Sequence, residues 1–302
     1  MVNTKVTLSG WTLDNPVIPA SGTFGYGEEY RQFYDINKLG TFSFKGTTRE
    51  PRFGNPTPRI ADCTAGMINA VGLQNPGVEA FIADELPWLR QQGTVVIANM
   101  AGACEDDYAY MAARLSASDV DMLEMNISCP NVKEGGVAFG TRPESIYNIV
   151  KLTSAEAKKP LIVKLSPNVA DIAECARAAE EAGADAISLI NTLTGMAVDV
   201  YTRRPVLANV VGGLSGPAVK PVALRMVWQA SRAVKVPVIG MGGIMTGEDA
   251  AAFMLCGASA VMVGTANIHD PMACVNIIEE LEQYCDSTGV KAVSELTGAL
   301  KV

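Results

Sequence analysis

Eight short apolar runs, at 17–20, 42–45, 95–99, 123–126, 162–164, 187–191, 238–240 and 261–263, recur along the 302-residue chain. Longer segments with helical periodicity separate most of them. Runs this short and this continuously apolar suit strands covered on both faces, and strands that alternate with helices pair in parallel. Eight is the number that closes a (β/α)8 TIM barrel, so the chain is read as an α/β protein of that architecture. The clearest connecting helix is 171–182, where Ile172, Ala176 and Ala179 share one face and Gly183 fits the position beyond the C-cap. Two stretches echo each other. Gly183-Ala184-Asp185-Ala186 leads into Ile187-Ser188-Leu189-Ile190, and Gly257-Ala258-Ser259-Ala260 into Val261-Met262-Val263-Gly264, as repeated βα units would give. Ahead of the first run, residues 5–13 alternate about Ser9-Gly10 and read as a hairpin.

Composition narrows what such a barrel can do. Lys and Arg number 24 against 32 Asp and Glu, a formal net charge of −8, and no basic cluster interleaved with aromatics stands out. Nucleic-acid binding is therefore set aside. No apolar run approaches the ~18 residues of a membrane span, and the first residues lack a secretory signal pattern. The seven cysteines are scattered singly with no C-x-x-C pair. That argues against a disulfide framework or an iron–sulfur or zinc site on this chain, and it suits a reducing cytoplasm. With no Pro/Ser-rich linker, residues 1–302 are read as one domain with loops at 51–58 and 130–143.

Polar residues and glycines stand where the apolar runs stop: Ser21, Lys45, Asn99, Asn126, Lys164, Asn191, Gly242 and Gly264. In a parallel barrel these ends share the C-terminal face, where barrel enzymes place their sites. Asparagine amides offer donors and acceptors to a flat heterocycle, and lysines balance an anion. Met241-Gly242-Gly243-Ile244 and Val263-Gly264-Thr265 follow the last two strands, where barrels commonly hold phosphate. Cys129 lies just past a strand end and opens the loop that contains Gly135-Gly136. A thiol of reference pKa about 8.5 needs only modest tuning to act as a base near neutrality. The other cysteines, 63, 104, 175, 256, 274 and 285, are read as small buried hydrophobes. His269, the only histidine, is assigned to the surface or a helix cap, and Glu124 inside a strand to either a structural hydrogen-bonding or a functional role.

Several segments spread over nearly the whole chain carry a family resemblance. They are Asn15-Pro16-Val17-Ile18-Pro19-Ala20-Ser21-Gly22-Thr23-Phe24-Gly25-Tyr26-Gly27, Phe44-Lys45-Gly46-Thr47-Thr48, Gly54-Asn55-Pro56-Thr57-Pro58-Arg59, Asn69-Ala70-Val71-Gly72-Leu73-Gln74-Asn75-Pro76-Gly77 and Asn126-Ile127-Ser128-Cys129-Pro130-Asn131. Together they resemble the dihydroorotate dehydrogenases, and the NAD-linked class 1B catalytic subunits in particular. The resemblance implies one FMN at the barrel mouth. Ala20, Ser21, Gly22, Lys45, Gly46, Asn99, Asn126, Lys164 and Ile190 would line its ring and ribityl chain, and Gly216, Gly242, Gly243, Gly264 and Thr265 its lower chain and phosphate. Dihydroorotate would be bound by Lys45, by Asn69, Ala70, Val71, Gly72 and Leu73, and by Asn126, Asn191 and Thr192.

The same resemblance implies oxidation of dihydroorotate to orotate in pyrimidine biosynthesis. Cys129 would remove the C5 proton while C6 delivers hydride to the flavin, and Lys164 would stabilise the resulting negative charge. Cysteine at this place resembles the class 1 enzymes; the membrane-associated class 2 enzymes carry serine. Class 1A enzymes pass electrons to fumarate, and class 1B enzymes to NAD+ through a partner subunit carrying FAD and a [2Fe–2S] cluster. A heterotetramer built on a homodimer of catalytic chains is the implied assembly. Two rivals stay open: a related flavin barrel acting on dihydropyrimidines without a carboxylate, and a non-catalytic barrel that binds a phosphorylated ligand.

Overall fold

A computed structural model describes residues 2–128 and 139–302. In chain order the strands are β1 (Val6–Leu8), β2 (Trp11–Leu13), β3 (Val17–Pro19), β4 (Thr41–Ser43), β5 (Ile60–Cys63), β6 (Gly66–Asn69), β7 (Val95–Met100) and β8 (Met122–Asn126). They continue as β9 (Leu161–Lys164), β10 (Ala186–Leu189), β11 (Leu193–Met196), β12 (Val198–Asp199), β13 (Arg204–Pro205), β14 (Val211–Ser215), β15 (Val238–Met241) and β16 (Ala260–Val263).

Eight of these strands form the barrel, in the order β3-β16-β15-β10-β9-β8-β7-β4, each ladder parallel. At the seam β3 lies beside β4 without a ladder among the described residues, so the barrel is nearly closed. Each expected run holds one of these strands. Almost every strand residue is buried, which is why the runs are continuous in apolar character and not alternating. Two ladders stop two residues short of their runs. β4 ends at Ser43 and β10 at Leu189, and beyond them Lys45 N donates to Gly25 O and Asn191 N to Leu165 O. The chain leaves the sheet there to deliver its polar residues to the mouth.

The helix expected over 171–182 spans Ile172–Glu181. Asp171 caps it, its Oδ1 accepting from Ala173 N at 2.8 Å and Glu174 N at 3.1 Å. Ile172, Ala176 and Ala179 are buried on its inner face, as their spacing requires. The N-terminal hairpin pairs β1 with β2 about Ser9 and Gly10, both at positive φ. Ser9 Oγ donates to Asp185 O, immediately before β10, which sets the hairpin at the N-terminal end of the barrel.

One element was not expected from the sequence. A four-stranded antiparallel sheet, β11-β14-β6-β5, stands beyond the barrel strands, with β12 and β13 paired beside it. Strand β14 reads Val211-Gly212-Gly213-Leu214-Ser215, a composition that argues against a strand. Its glycines are demanded by close approach. A Cβ on Gly213 would lie 1.9 Å from Thr192 Oγ1, and one on Gly212 would lie 2.6 Å from Asn69 O.

Candidate active site

All eight barrel strands send residues into one cavity at the C-terminal mouth, and the antiparallel sheet closes it from above with Ile60, Met67, Asn69 and Leu214. Expected residues Ala20, Ser21 and Gly22 follow β3, and Lys45 and Gly46 follow β4. Asn99, Asn126 and Lys164 lie in β7, β8 and β9, while Ile190, Asn191 and Thr192 follow β10. Gly216, Gly242, Gly243, Gly264 and Thr265 complete the far wall, and Asn69, Val71, Gly72 and Leu73 the rim. Ala70 does not face the cavity. It is fully buried in a small apolar cluster with Ile68 and Leu207, because alternation along an extended chain turns it away from its neighbours. Cys129 and residues 130–138 of the expected 130–143 loop lie outside the described residues.

The first wall is built of oriented side chains. Asn126 Oδ1 accepts from Ser128 N at 3.2 Å, from Ser128 Oγ at 3.1 Å and from Asn191 Nδ2 at 3.4 Å. Asn191 Nδ2 also donates to Ser128 Oγ at 2.7 Å, and Asn191 Oδ1 accepts from Thr192 N at 2.8 Å. The amide of Asn126 is thus fixed with its nitrogen making no hydrogen bond among the described residues. Glu124, fully buried inside the barrel, accepts from Ser43 Oγ at 2.9 Å and Asn99 Nδ2 at 2.6 Å on one oxygen, and from Ser188 Oγ at 2.8 Å on the other. Asn99 Oδ1 is buried without a hydrogen-bond partner among the described residues. Lys164 is 6 % exposed and has no carboxylate partner among the described residues. A buried acceptor and a buried cation left open toward one cavity call for a ligand with an N–H and negative charge.

The opposite wall is built of missing side chains. A Cβ on Gly22 would meet nothing within 4 Å, and one on Gly264 only Ala20 Cβ at 3.9 Å. Neither glycine needs positive φ, so neither the backbone nor crowding within the protein accounts for it. Space that a Cβ would fill is left for something else. Gly243 differs, since it holds φ +79° and a Cβ there would come 2.8 Å from Gly216 O.

Supporting contacts hold both walls. Asn75 Oδ1 accepts from Thr48 N at 3.1 Å and Gly77 N at 2.8 Å. Its Nδ2 donates to Thr48 Oγ1 at 2.8 Å and Leu73 O at 2.7 Å. This pins the rim to the segment after β4 and holds Leu73 at φ 55°, a strained value for a branched side chain. Tyr30 OH donates to Thr23 O at 2.8 Å and Asn267 O at 3.2 Å, tying the turn after β3 to the turn after β16. Burial pushes its pKa up to about 12, so it stays a donor at ordinary pH. The other cysteines divide: Cys175, Cys274 and Cys285 are buried as expected, Cys63 and Cys256 are only half-buried, and Cys104 is exposed, since it stands before the helix Glu105–Ser116 at the open end of β7. His269 is exposed at the end of a short helix, in keeping with its surface assignment.

Sequence reasoning missed Thr23, Ile60, Met67, Leu214, Ser215, Val219, Ile244 and Ile268 in the lining. Most of them are apolar. Ile60-Ala61-Asp62-Cys63 and Gly66-Met67-Ile68-Asn69 show no apolar–polar alternation that would have marked Ile60 and Met67 as strand residues.

Comparison with known proteins gives one consistent result. Residues 3–285 match the family model described as dihydroorotate dehydrogenase. A protein of Alkaliphilus oremlandii named dihydroorotate dehydrogenase B (NAD(+)), catalytic subunit, is 57 % identical over 298 residues, covering 99 % of each chain. The proteins of the same name from Geobacter sulfurreducens and Thermoanaerobacter pseudethanolicus are similar. The first is 56 % identical over 99 % of this chain and 98 % of its own, the second 52 % over the whole of both.

Proposed function

The chain belongs to the dihydroorotate dehydrogenase family, and from that premise we propose that it oxidises (S)-dihydroorotate to orotate with an FMN held in the barrel mouth. One observation carries the reading: the buried Asn99 Oδ1, without a hydrogen-bond partner among the described residues, and the buried Lys164 share a cavity whose opposite wall is glycine-rich. When bound, FMN supplies an acceptor for the hydride that leaves C6 of the substrate. Lys164 contributes positive charge in a site shielded from water, where it favours the build-up of negative charge. Ala20, Ser21, Gly22, Lys45, Gly46, Asn99, Asn126 and Ile190 would border the ring and ribityl chain. Gly216, Gly242, Gly243, Gly264 and Thr265 would take the phosphate end, where backbone can approach closely.

Dihydroorotate carries a carboxylate and a ring of alternating carbonyl and N–H groups. Lys45 balances the carboxylate, and Asn69, Asn126, Asn191 and Thr192 match the ring edges. The rim backbone from Val71 to Leu73 shapes the opening, and Ala70 serves it from behind through packing. Cys129 takes the C5 proton. In the sequence it follows Ser128, which is buried and hydrogen-bonded to both Asn126 and Asn191. The relatives' names specify NAD(+) and a catalytic subunit, which supports onward transfer of electrons through a second subunit. We place FAD and a [2Fe–2S] cluster on that partner, in a cytoplasmic heterotetramer built on a homodimer of this chain. No helix among the described residues is long and apolar enough to cross a membrane.

The test is anaerobic. Dihydroorotate added to the purified yellow chain should bleach the flavin band rapidly, and dihydrouracil should not. Equal bleaching by both would favour a substrate without a carboxylate, and a chain unable to take up FMN would overturn the reading.

A further inference from the structure

Glu124 is a carboxylate sealed inside the barrel, without solvent contact and without a cationic partner among the described residues. Three side-chain donors converge on it from three other strands: Ser43 of β4, Asn99 of β7 and Ser188 of β10. Because the carboxylate acts as acceptor in all three contacts, the Asn99 atom that meets it is the amide nitrogen. The Asn99 carbonyl oxygen must then point away from Glu124. It is buried, has no hydrogen-bond partner among the described residues, and belongs to a residue that lines the cavity. Gly46 leaves it room, since a Cβ there would come within 2.9 Å of that oxygen.

We propose that Glu124 is a positioning residue that locks the Asn99 amide so that the cavity presents an acceptor at this place, thereby selecting a ligand ring that carries an N–H. The inference rests on the flavin reading, because the ring of oxidised FMN carries a single N–H, the imide between its two carbonyls. An unlocked amide can turn its own nitrogen to the cavity, where two donors would face each other. Ser43 and Ser188 serve the lock by holding the carboxylate from two sides.

Titration of the flavin-stripped full-length chain with FMN and with 3-deaza-FMN, in which a carbon replaces the imide nitrogen and removes its N–H, tests the lock without measuring turnover. The wild type should prefer FMN by about tenfold or more, the worth of a buried hydrogen bond whose loss strands its acceptor. Ser43→Ala/Glu124→Met/Ser188→Ala removes the lock and its donors together and should cut that preference to about twofold. Glu124→Asp, which keeps the charge but withdraws it by one methylene, should do the same and covers the case in which the triple variant does not fold. Glu124→Gln retains an oxygen for Asn99 and should keep most of the preference. A merely structural role would lower stability and leave the preference untouched. An undiminished preference in either lock-breaking variant, or no preference in the wild type, would overturn the inference while leaving the flavin reading intact. A wild-type chain that takes up neither flavin would overturn both.

Discussion

The two walls of the cavity are made by opposite means. Strands β4, β7, β8, β9 and β10, with the residues that follow them, bring amides and ammonium groups, and hydrogen bonds fix the orientation of the Asn99, Asn126 and Asn191 amides. Segments after β14, β15 and β16, with the turn after β3, bring glycines. One wall discriminates by which atom faces the ligand, the other by how much room is left. A side-chain wall fails when an orienting contact is lost, and a glycine wall fails when an atom is added.

The largest effect should come from Cys129→Ser, which leaves both walls as they are. Flavin reduction by dihydroorotate at neutral pH should slow by ~10²–10⁴-fold with FMN still bound, measured by stopped-flow absorbance. A loss of FMN instead would mean that residue 129 belongs to the binding walls. Next, Gly264→Val fills space on the glycine side without requiring a forbidden φ. FMN affinity should fall about 10–100-fold, taking up to ~3 kcal/mol for an overpacked site, while the melting temperature of the flavin-free chain barely moves. Equal losses of affinity and stability would erase the contrast between the walls.

On the side-chain wall, Asn75→Ala removes four hydrogen bonds that pin the rim. It should cost about 2–3 kcal/mol of stability, and raise KM for dihydroorotate more than it lowers kcat. The smallest effect is on thiols. At pH 7.5 an alkylating reagent should modify exposed Cys104, while burial holds Cys175 and Cys274 up at pKa values of about 11 and 12 and keeps them silent. In Cys63→Ser/Cys104→Ser/Cys256→Ser, a remaining fast thiol that dihydroorotate protects would identify Cys129. The same two buried thiols carry a sign for stability. In the unfolded chain they ionise near pH 9, in the folded chain only about two to three pH units higher, so stability is level below pH 9 and falls as pH rises toward 11.

The barrel was legible because burial on both faces writes an uninterrupted apolar run, and each of the eight runs holds a strand. The side-chain wall was legible for the same reason: Lys164 is the polar end of an otherwise apolar strand, and Asn126 ends one whose only other polar residue is Glu124. Strand β14 was hidden because it pairs with β6 and β11 only by giving up side chains at Gly212 and Gly213, so close approach outweighed propensity. Glu124 could be noticed but not assigned. Its meaning depends on Ser43, Asn99 and Ser188, which only the closed barrel gathers around it.

The antiparallel sheet over the mouth also sets an order of assembly. Its β5–β6 half lies between the second and third barrel strands, while β14 follows the sixth. As the chain emerges from the ribosome, β6 therefore waits with an open edge until β14 appears, by which time six barrel strands already exist. Contacts this distant along the chain form slowly. A ligand that needs the whole mouth must then wait for β14 and for the two barrel strands, β15 and β16, that follow it.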